Sequence, residues 1–231
     1  MIEIVQEYWL LLLIGQYPHG PLGGLAGTLI LAVLCVILAA PVSLMLALGR
    51  LSPNRVFRNV AHGISYLMRG TPFIMVIFWA YYLLPLVLGR PVSAFWVLVV
   101  ALVLYESAYL GEVIRAGITA LPKGQSEAAS ALGFSRGRSM RLIVLPQALY
   151  NSLPAMISQF VSIIKETSLG FVIGVQEFTY AANQVNGLEM VKPIEVYSIL
   201  AITFFIVCFS FTTAARWLER HIDAQRQEKP A

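Results

Sequence analysis

Residues 165–168 read Lys-Glu-Thr-Ser: a cation, an anion and two hydroxyls in succession at the end of an otherwise apolar run. A zwitterion needs donors for its carboxylate and an acceptor for its ammonium, and Lys165, Glu166, Thr167 and Ser168 offer both. Pro146 and Pro154 interrupt the run, and Gly170 and Gly174 follow it. Broken helical backbone lining a cavity is expected there, with an ion pair at a membrane surface as the alternative. Four more ionisable residues stand in apolar surroundings: Arg69, Glu106, Glu112 and Arg115. Such groups are costly in hydrocarbon unless they face water, a partner or a substrate. Glu106 shares a helical face with Tyr109, three residues on, and Glu112 and Arg115, also three apart, are expected to pair.

The elements that must position these groups are membrane helices. The chain has 231 residues, is 58% hydrophobic and only 12% charged, with a mean hydropathy of +0.75, which excludes a soluble domain. Uncharged runs long enough to cross a bilayer, which takes roughly 20 apolar residues, lie at 25–48, 70–89, 142–164 and 196–215. A fifth, from Val92, reaches full length only when extended through Glu106 and Glu112 to Ile114. Five crossings are therefore expected, in an all-α integral membrane fold. Residues 1–23 form an expected external interfacial segment. Its apolar patch Tyr8–Ile14 lacks the basic flank and cleavage site of a signal peptide and ends at Pro18, His19 and Pro21. Residues 24–219 form the transmembrane domain, with a loop at 116–141, and residues 220–231 a tail.

Basic residues set the expected orientation. Arg50, Arg55, Arg58, Arg69, Arg115, Lys123, Arg136, Arg138, Arg141, Arg216, Arg220, Arg226 and Lys229 fall on one side, and only Arg90, Lys165 and Lys192 on the other. Short cytoplasmic loops retain Lys and Arg, so the N-terminus is expected outside and the C-terminus in the cytoplasm. The net charge of +4 and pI of about 9.2 need only anionic lipid as a partner, and no nucleic acid.

Other chemistries find little support. Cys35 and Cys208 lie in apolar spans without ligand-spaced neighbours, so neither a disulfide nor a metal site is expected. Ser43, Ser158, Ser198 and Ser210 have no membrane-embedded histidine to activate them, and His62 reads as a solvated or capping residue. No G-x-x-x-x-G-K-[ST] phosphate loop is present, so the chain does not itself bind ATP in the usual way. The amide-rich stretch 179–186 reads as an external loop.

Between the third and fourth spans, residues 125–132 are strong helix formers, Pro122 and Gly124 precede them, and Gly133 can supply the left-handed residue that ends a helix. Ala128 and Ala129 leave room for close approach by another surface. Glu127-Ala128-Ala129, then Gly133 after three residues, then Ile143-x-Leu145-Pro146 after nine more, resembles the EAA loop of ABC importer permeases. Arg69-Gly70-Thr71-Pro72 is similar to the R-G-T-P element of polar amino acid permeases, residues 108–118 to their third-span signature, and residues 165–169 to their K-D-T-S-L element. The chain resembles the histidine/glutamine/glutamate permease family, and within it the glutamate/aspartate permeases.

The resemblance implies a type I ABC importer permease fold whose loop is a coupling helix, with Glu127, Ala128, Ala129, Gly133, Ile143, Leu145 and Pro146 meeting an ATPase. It implies a second permease subunit, identical or homologous, two ATPase subunits that carry the ATP and Mg, and an extracytoplasmic amino-acid-binding protein. The bacterial inner membrane is the implied location, and transport without catalysis the implied role. The substrate pathway is expected at Arg69, Thr71, Glu106, Lys165, Glu166, Thr167 and Ser168. Glutamate or aspartate lead as substrates on Glu106 and Lys165, with glutamine or a basic amino acid as the alternative. A channel-like or interaction protein without ATP coupling is the alternative from another class.

Overall fold

Small residues decide which helix faces meet. The computed structural model describes residues 1–227. In α2 (Gly24–Arg50), Thr28, Ala32, Cys35, Ala39, Ser43 and Ala47 recur at helical spacing and are all fully buried. They face α5 (Ala94–Thr119), the central helix, whose Ala101, Ala108 and Gly111 answer them. A Cβ on Gly111 would stand 3.0 Å from the Ser43 carbonyl oxygen, so this crossing depends on its absence. Close backbone approach through small residues is the usual basis of helix association where lipid removes the hydrophobic drive.

Around α5 pack α3 (Arg55–Gly70), α4 (Phe73–Leu88) and α8 (Leu145–Thr167). The main core runs from Leu31 and Cys35 through Ile77, Leu98 and Leu102 to Ile163 and Ile164. Outside it, α10 (Pro193–Gln227) leans on α8 and on α9 (Phe178–Glu189), while α1 (Ile2–Ile14) packs Ile4 and Leu12 against α9 and α10. The leftover apolar surface, Leu86, Val87 and Phe205 among it, is exposed as a lipid-facing exterior requires.

Four helices, α2, α5, the segment Arg136–Ile173 and α10, are long and apolar enough to cross a membrane. The expected second span is different in kind. Helix begins only at Phe73, which leaves the 16 residues of α4, and α3 and α4 meet at a bend of 109°, which gives a fifth crossing only if the bent pair counts as one. Pro72 forbids continued helix across the junction, and Thr71 closes α3 by donating its hydroxyl to the Leu67 carbonyl at 2.7 Å. Asn54 caps the other end of α3, accepting from the Val56 amide at 2.9 Å.

Two expected boundaries shift. The loop proper is shorter than 116–141, because α5 continues to Thr119 and helix resumes at Arg136. No proline stands in α5 or between it and Pro122, so the helix runs on past Gly117 to Thr119. The expected tail is helical over residues 220–227, where α10 runs on to Gln227, and residues 228–231 lie outside the described part.

Candidate functional site

The loop between α5 and α8 is built around α6 (Gly124–Ala131). Gly133 takes the left-handed conformation, φ +80°, that the sequence calls for. The Phe134 amide donates to Ala129 at 3.0 Å and the Gly133 amide to Ser130 at 3.0 Å, which satisfies carbonyls the helix end leaves open. Then comes the short α7 (Arg136–Ser139), whose first residue follows a Ser135 cap, and a π-helical turn over Met140–Val144. Pro146 lacks the N–H that would bond Leu142, and the wider turn absorbs that loss. Gln147 fastens the arrangement: its amide donates to Ile143 at 3.0 Å and to the Gln125 side chain of α6 at 3.3 Å.

The motif residues divide between two faces. Glu127, Ala128, Gly133 and Pro146 are exposed, together with Leu132, an apolar side chain 77% open to solvent. Ala129 is buried, so its small size serves packing within the chain, contrary to the expected role in docking. Ile143 and Leu145 are half-buried and Val144 is buried against Ile114 and Ile118 of α5. At the same end α5 and α8 touch through Gly117, where a Cβ would fall 2.1 Å from the Ser152 hydroxyl. A push on α6 therefore reaches both α5 and α8.

Deeper in the bundle Glu106 and Glu166 come together. Glu106 of α5 is fully buried and accepts from the Gln159 side chain of α8 at 2.7 Å, and its carboxyl neighbours that of Glu166. One buried oxygen on each, Glu106 Oε1 and Glu166 Oε2, has no hydrogen-bond partner. Lys165 points outward and is exposed. Thr167 and Ser168 spend their hydroxyls on the preceding turn, at the Ile164 and Lys165 carbonyls (2.8 and 2.6 Å), where α8 tightens into a 3₁₀ turn over Ser168–Ile173. The expected cluster of cation, anion and two free hydroxyls is thus reduced to the anion, joined by a second one. Gln159 escaped the sequence reading, although its place seven residues before Glu166 puts both on one helical face.

Arg69 and Thr71 lie elsewhere. Glu112 accepts from Arg115 at 2.5 and 3.2 Å and from Arg50, and Arg69 stands 3.3 Å away. The Glu112–Arg115 pairing is as the spacing suggests; Arg50, at the end of α2, and Arg69 join it through folding alone. The Arg69 guanidinium also sits 5.6 Å from the Tyr109 ring centroid. Tyr109 is linked to Tyr105 through their hydroxyls, 3.2 Å apart, so a tyrosine pair on α5 spans the distance between the arginine cluster and the Glu106 site.

At the opposite end, Glu177 caps α9. Fully buried, it accepts from the Thr179 and Tyr180 amides at 2.8 and 2.9 Å, and burial pushes its carboxyl up to about 7. The neighbouring Phe178 amide donates to Thr28 of α2 at 3.1 Å, which fixes the 3₁₀ turn and α9 to the central helices.

Four helices long and apolar enough to cross a membrane, with an exposed helix between two of them, define an all-α membrane protein. Residues 39–224 match the family described as the binding-protein-dependent transport system inner membrane component, and the chain belongs to it. It is a membrane permease subunit of the amino acid ABC importer class. The glutamate transport system permease protein GluD of Corynebacterium glutamicum is 36% identical over 90% of this chain and 77% of its own. The arginine transport system permease protein ArtQ of Bacillus subtilis is 35% identical over 87% and 91%. The glutamate/glutamine/aspartate/asparagine permease BztC of Rhodobacter capsulatus is 33% identical over 96% of this chain, which spans only 52% of that protein. A solved amino acid ABC transporter with histidines superposes with a TM-score of 0.78 at 33% identity, covering 86% of this chain and 92% of that one. The MetNI methionine transporter, at 18% identity and a TM-score of 0.64, shares the fold.

Proposed function

We propose that this chain carries a polar amino acid across the bacterial inner membrane, its N-terminus outside and its C-terminus in the cytoplasm. It works with a second permease subunit, two ATPase subunits that bind ATP and Mg, and an extracytoplasmic binding protein. The observation that carries the reading is α6: an exposed helix with Glu127, Ala128 and Leu132 outward, held to both α5 and α8. Seated on an ATPase, it turns closure of that subunit into displacement of the two helices that bear Glu106 and Glu166. The fall of arginines on the α6 side of the chain supports the orientation.

For the substrate, the Glu106–Glu166 pair supplies the acceptor for an α-ammonium group in apolar surroundings, where such a bond is strong. Lys165, exposed one residue away, is the countercharge for an anionic side chain, which keeps glutamate and aspartate first. A basic amino acid is the second reading, favoured by the presence of two carboxyls where one would hold the ammonium. Transport then requires that the outward and inward states bind the substrate unequally. Cysteines placed at Ser135 and Asn186 test the orientation: the first should react only with reagent supplied from the cytoplasm and the second only from outside. Reaction of both from one side rejects the topology. ATPase activity of the reconstituted complex across a panel of amino acids tests the substrate, with stimulation by glutamate or aspartate expected and stimulation by arginine or lysine alone deciding for the second reading.

A further inference from the structure

The arginine cluster at Glu112 encloses more positive charge than the fold needs. Three guanidiniums, Arg50, Arg69 and Arg115, converge on one carboxylate, leaving a formal charge of +2. Beside them opens a cavity of about 550 Å³ whose lining includes Arg50, Arg69, His62, Ser65 and Tyr109 and no acidic residue. Two donors on residues that line it lack partners. Arg50 Nε is buried without an acceptor, and so is the hydroxyl of Ser65, a residue 3% exposed. Buried polar groups without partners are uncommon and costly, and here both can donate. The cavity thus combines surplus positive charge, unfilled donors and a guanidinium, Arg69, that remains 41% exposed.

We propose that this cavity is a phosphate-binding site. An amino acid suits it poorly, because its ammonium would meet arginines and find no free acceptor: Glu112 is already engaged by three of them. A phosphate brings up to two negative charges and several acceptor oxygens, and guanidinium forks match its geometry. Arg50 Nε, the Ser65 hydroxyl and the outer edge of Arg69 are the donors, with His62 at the rim. The same chemistry is presented by a lipid headgroup and by soluble phosphate. The site lies at the arginine-rich end of the bundle, between α3 and the end of α2, and clustered arginines at helix ends attract anionic headgroups. Its occupant would neutralise the cluster and tie α3 to α2 and α5.

The test uses the purified complex of this chain with its partner subunits. Native mass spectrometry should find a phosphatidylglycerol or phosphatidic acid molecule retained per copy of this chain. Arg69→Gln should weaken retention about tenfold, the effect of losing one charge-assisted contact. Ser65→Ala, which leaves the Glu112 ion pairs intact, should weaken it severalfold with an unchanged melting temperature in detergent. In lipid-depleted complex, inorganic phosphate that raises the melting temperature above a potassium chloride control of equal ionic strength, and does so less in Ser65→Ala, identifies the soluble source. Lipid retention lost in both variants, without such an effect of phosphate, identifies the headgroup. Retention unaffected by either variant, together with no stabilisation by phosphate, overturns the proposal.

Discussion

Glu106 and Glu112 sit six residues apart on one helix and have opposite surroundings. Glu112, near the end of α5, is held by Arg50 and Arg115 with Arg69 close by, and it is partly open to solvent. Glu106, wholly buried, has one amide from Gln159, a second carboxyl beside it and an oxygen with no partner. A carboxylate saturated by cations is a fixed part of the scaffold. On the proposed function, a buried carboxylate short of donors is the acceptor for the substrate's positive end. The contrast is between a carboxylate that joins three helices and one that, on the proposed function, answers to cargo.

The largest effect should come from Glu112→Gln. Removing the carboxylate leaves three arginines without compensation, and breaking a shielded ion pair from one side costs roughly 3 kcal/mol. The melting temperature of the purified complex should fall sharply, and less protein should reach the membrane. A melting temperature equal to wild type would make Glu112 dispensable to the scaffold and erase the contrast.

Lys165→Met comes next. If Lys165 is the countercharge for an anionic side chain, glutamate or aspartate uptake should drop about tenfold, the equivalent of 1.4 kcal/mol, and Lys165→Arg should recover part of it. Undiminished uptake by correctly assembled Lys165→Met would transfer the anion site elsewhere and strengthen the basic-substrate reading.

A smaller change is expected from Gly133→Leu. Nothing lies within 4 Å of a Cβ placed there, so its cost is the left-handed backbone itself, about 1–2 kcal/mol confined to the end of α6. The complex should assemble, with ATP hydrolysis and uptake falling out of step. Fully coupled transport by that variant would show that the shape of the turn is immaterial.

The smallest effect on stability is expected from Glu106→Gln. An amide can keep the contact with Gln159 and relieves the crowding of two carboxyls, so stability should stay within about 1 kcal/mol of wild type and the melting temperature should not fall. A collapse like that of Glu112→Gln would mean the two glutamates share a structural role.

Legibility in the sequence follows the same division. Apolar runs and fixed motif spacing sufficed for the membrane class and for α6 with its Gly133 end, because hydropathy and local backbone preferences act within a few residues. Glu112–Arg115, one helical turn apart, was readable for the same reason. Arg50 and Arg69 were not, since they reach Glu112 from two other helices across 62 and 43 positions of sequence. The apolar run at 70–89 does not register that Pro72 starts a short helix which meets the charged α3 at a bend of 109°. By residue type alone, Thr167 and Ser168 read as ligand donors. Both sit in a tightening helix end, where hydroxyls bond the preceding carbonyls instead.

If Glu106 is reserved for cargo, transport by Glu106→Gln is the most direct test of it. The intact complex, with its binding protein and ATPases, would be reconstituted in vesicles and ATP-driven uptake measured with glutamate, aspartate, glutamine and arginine. The prediction is at least a tenfold loss for whichever of these the wild type carries, from a complex whose melting temperature is unchanged. Wild-type uptake by Glu106→Gln, at equal amounts of assembled complex, would contradict it and leave Glu106 as a packing residue.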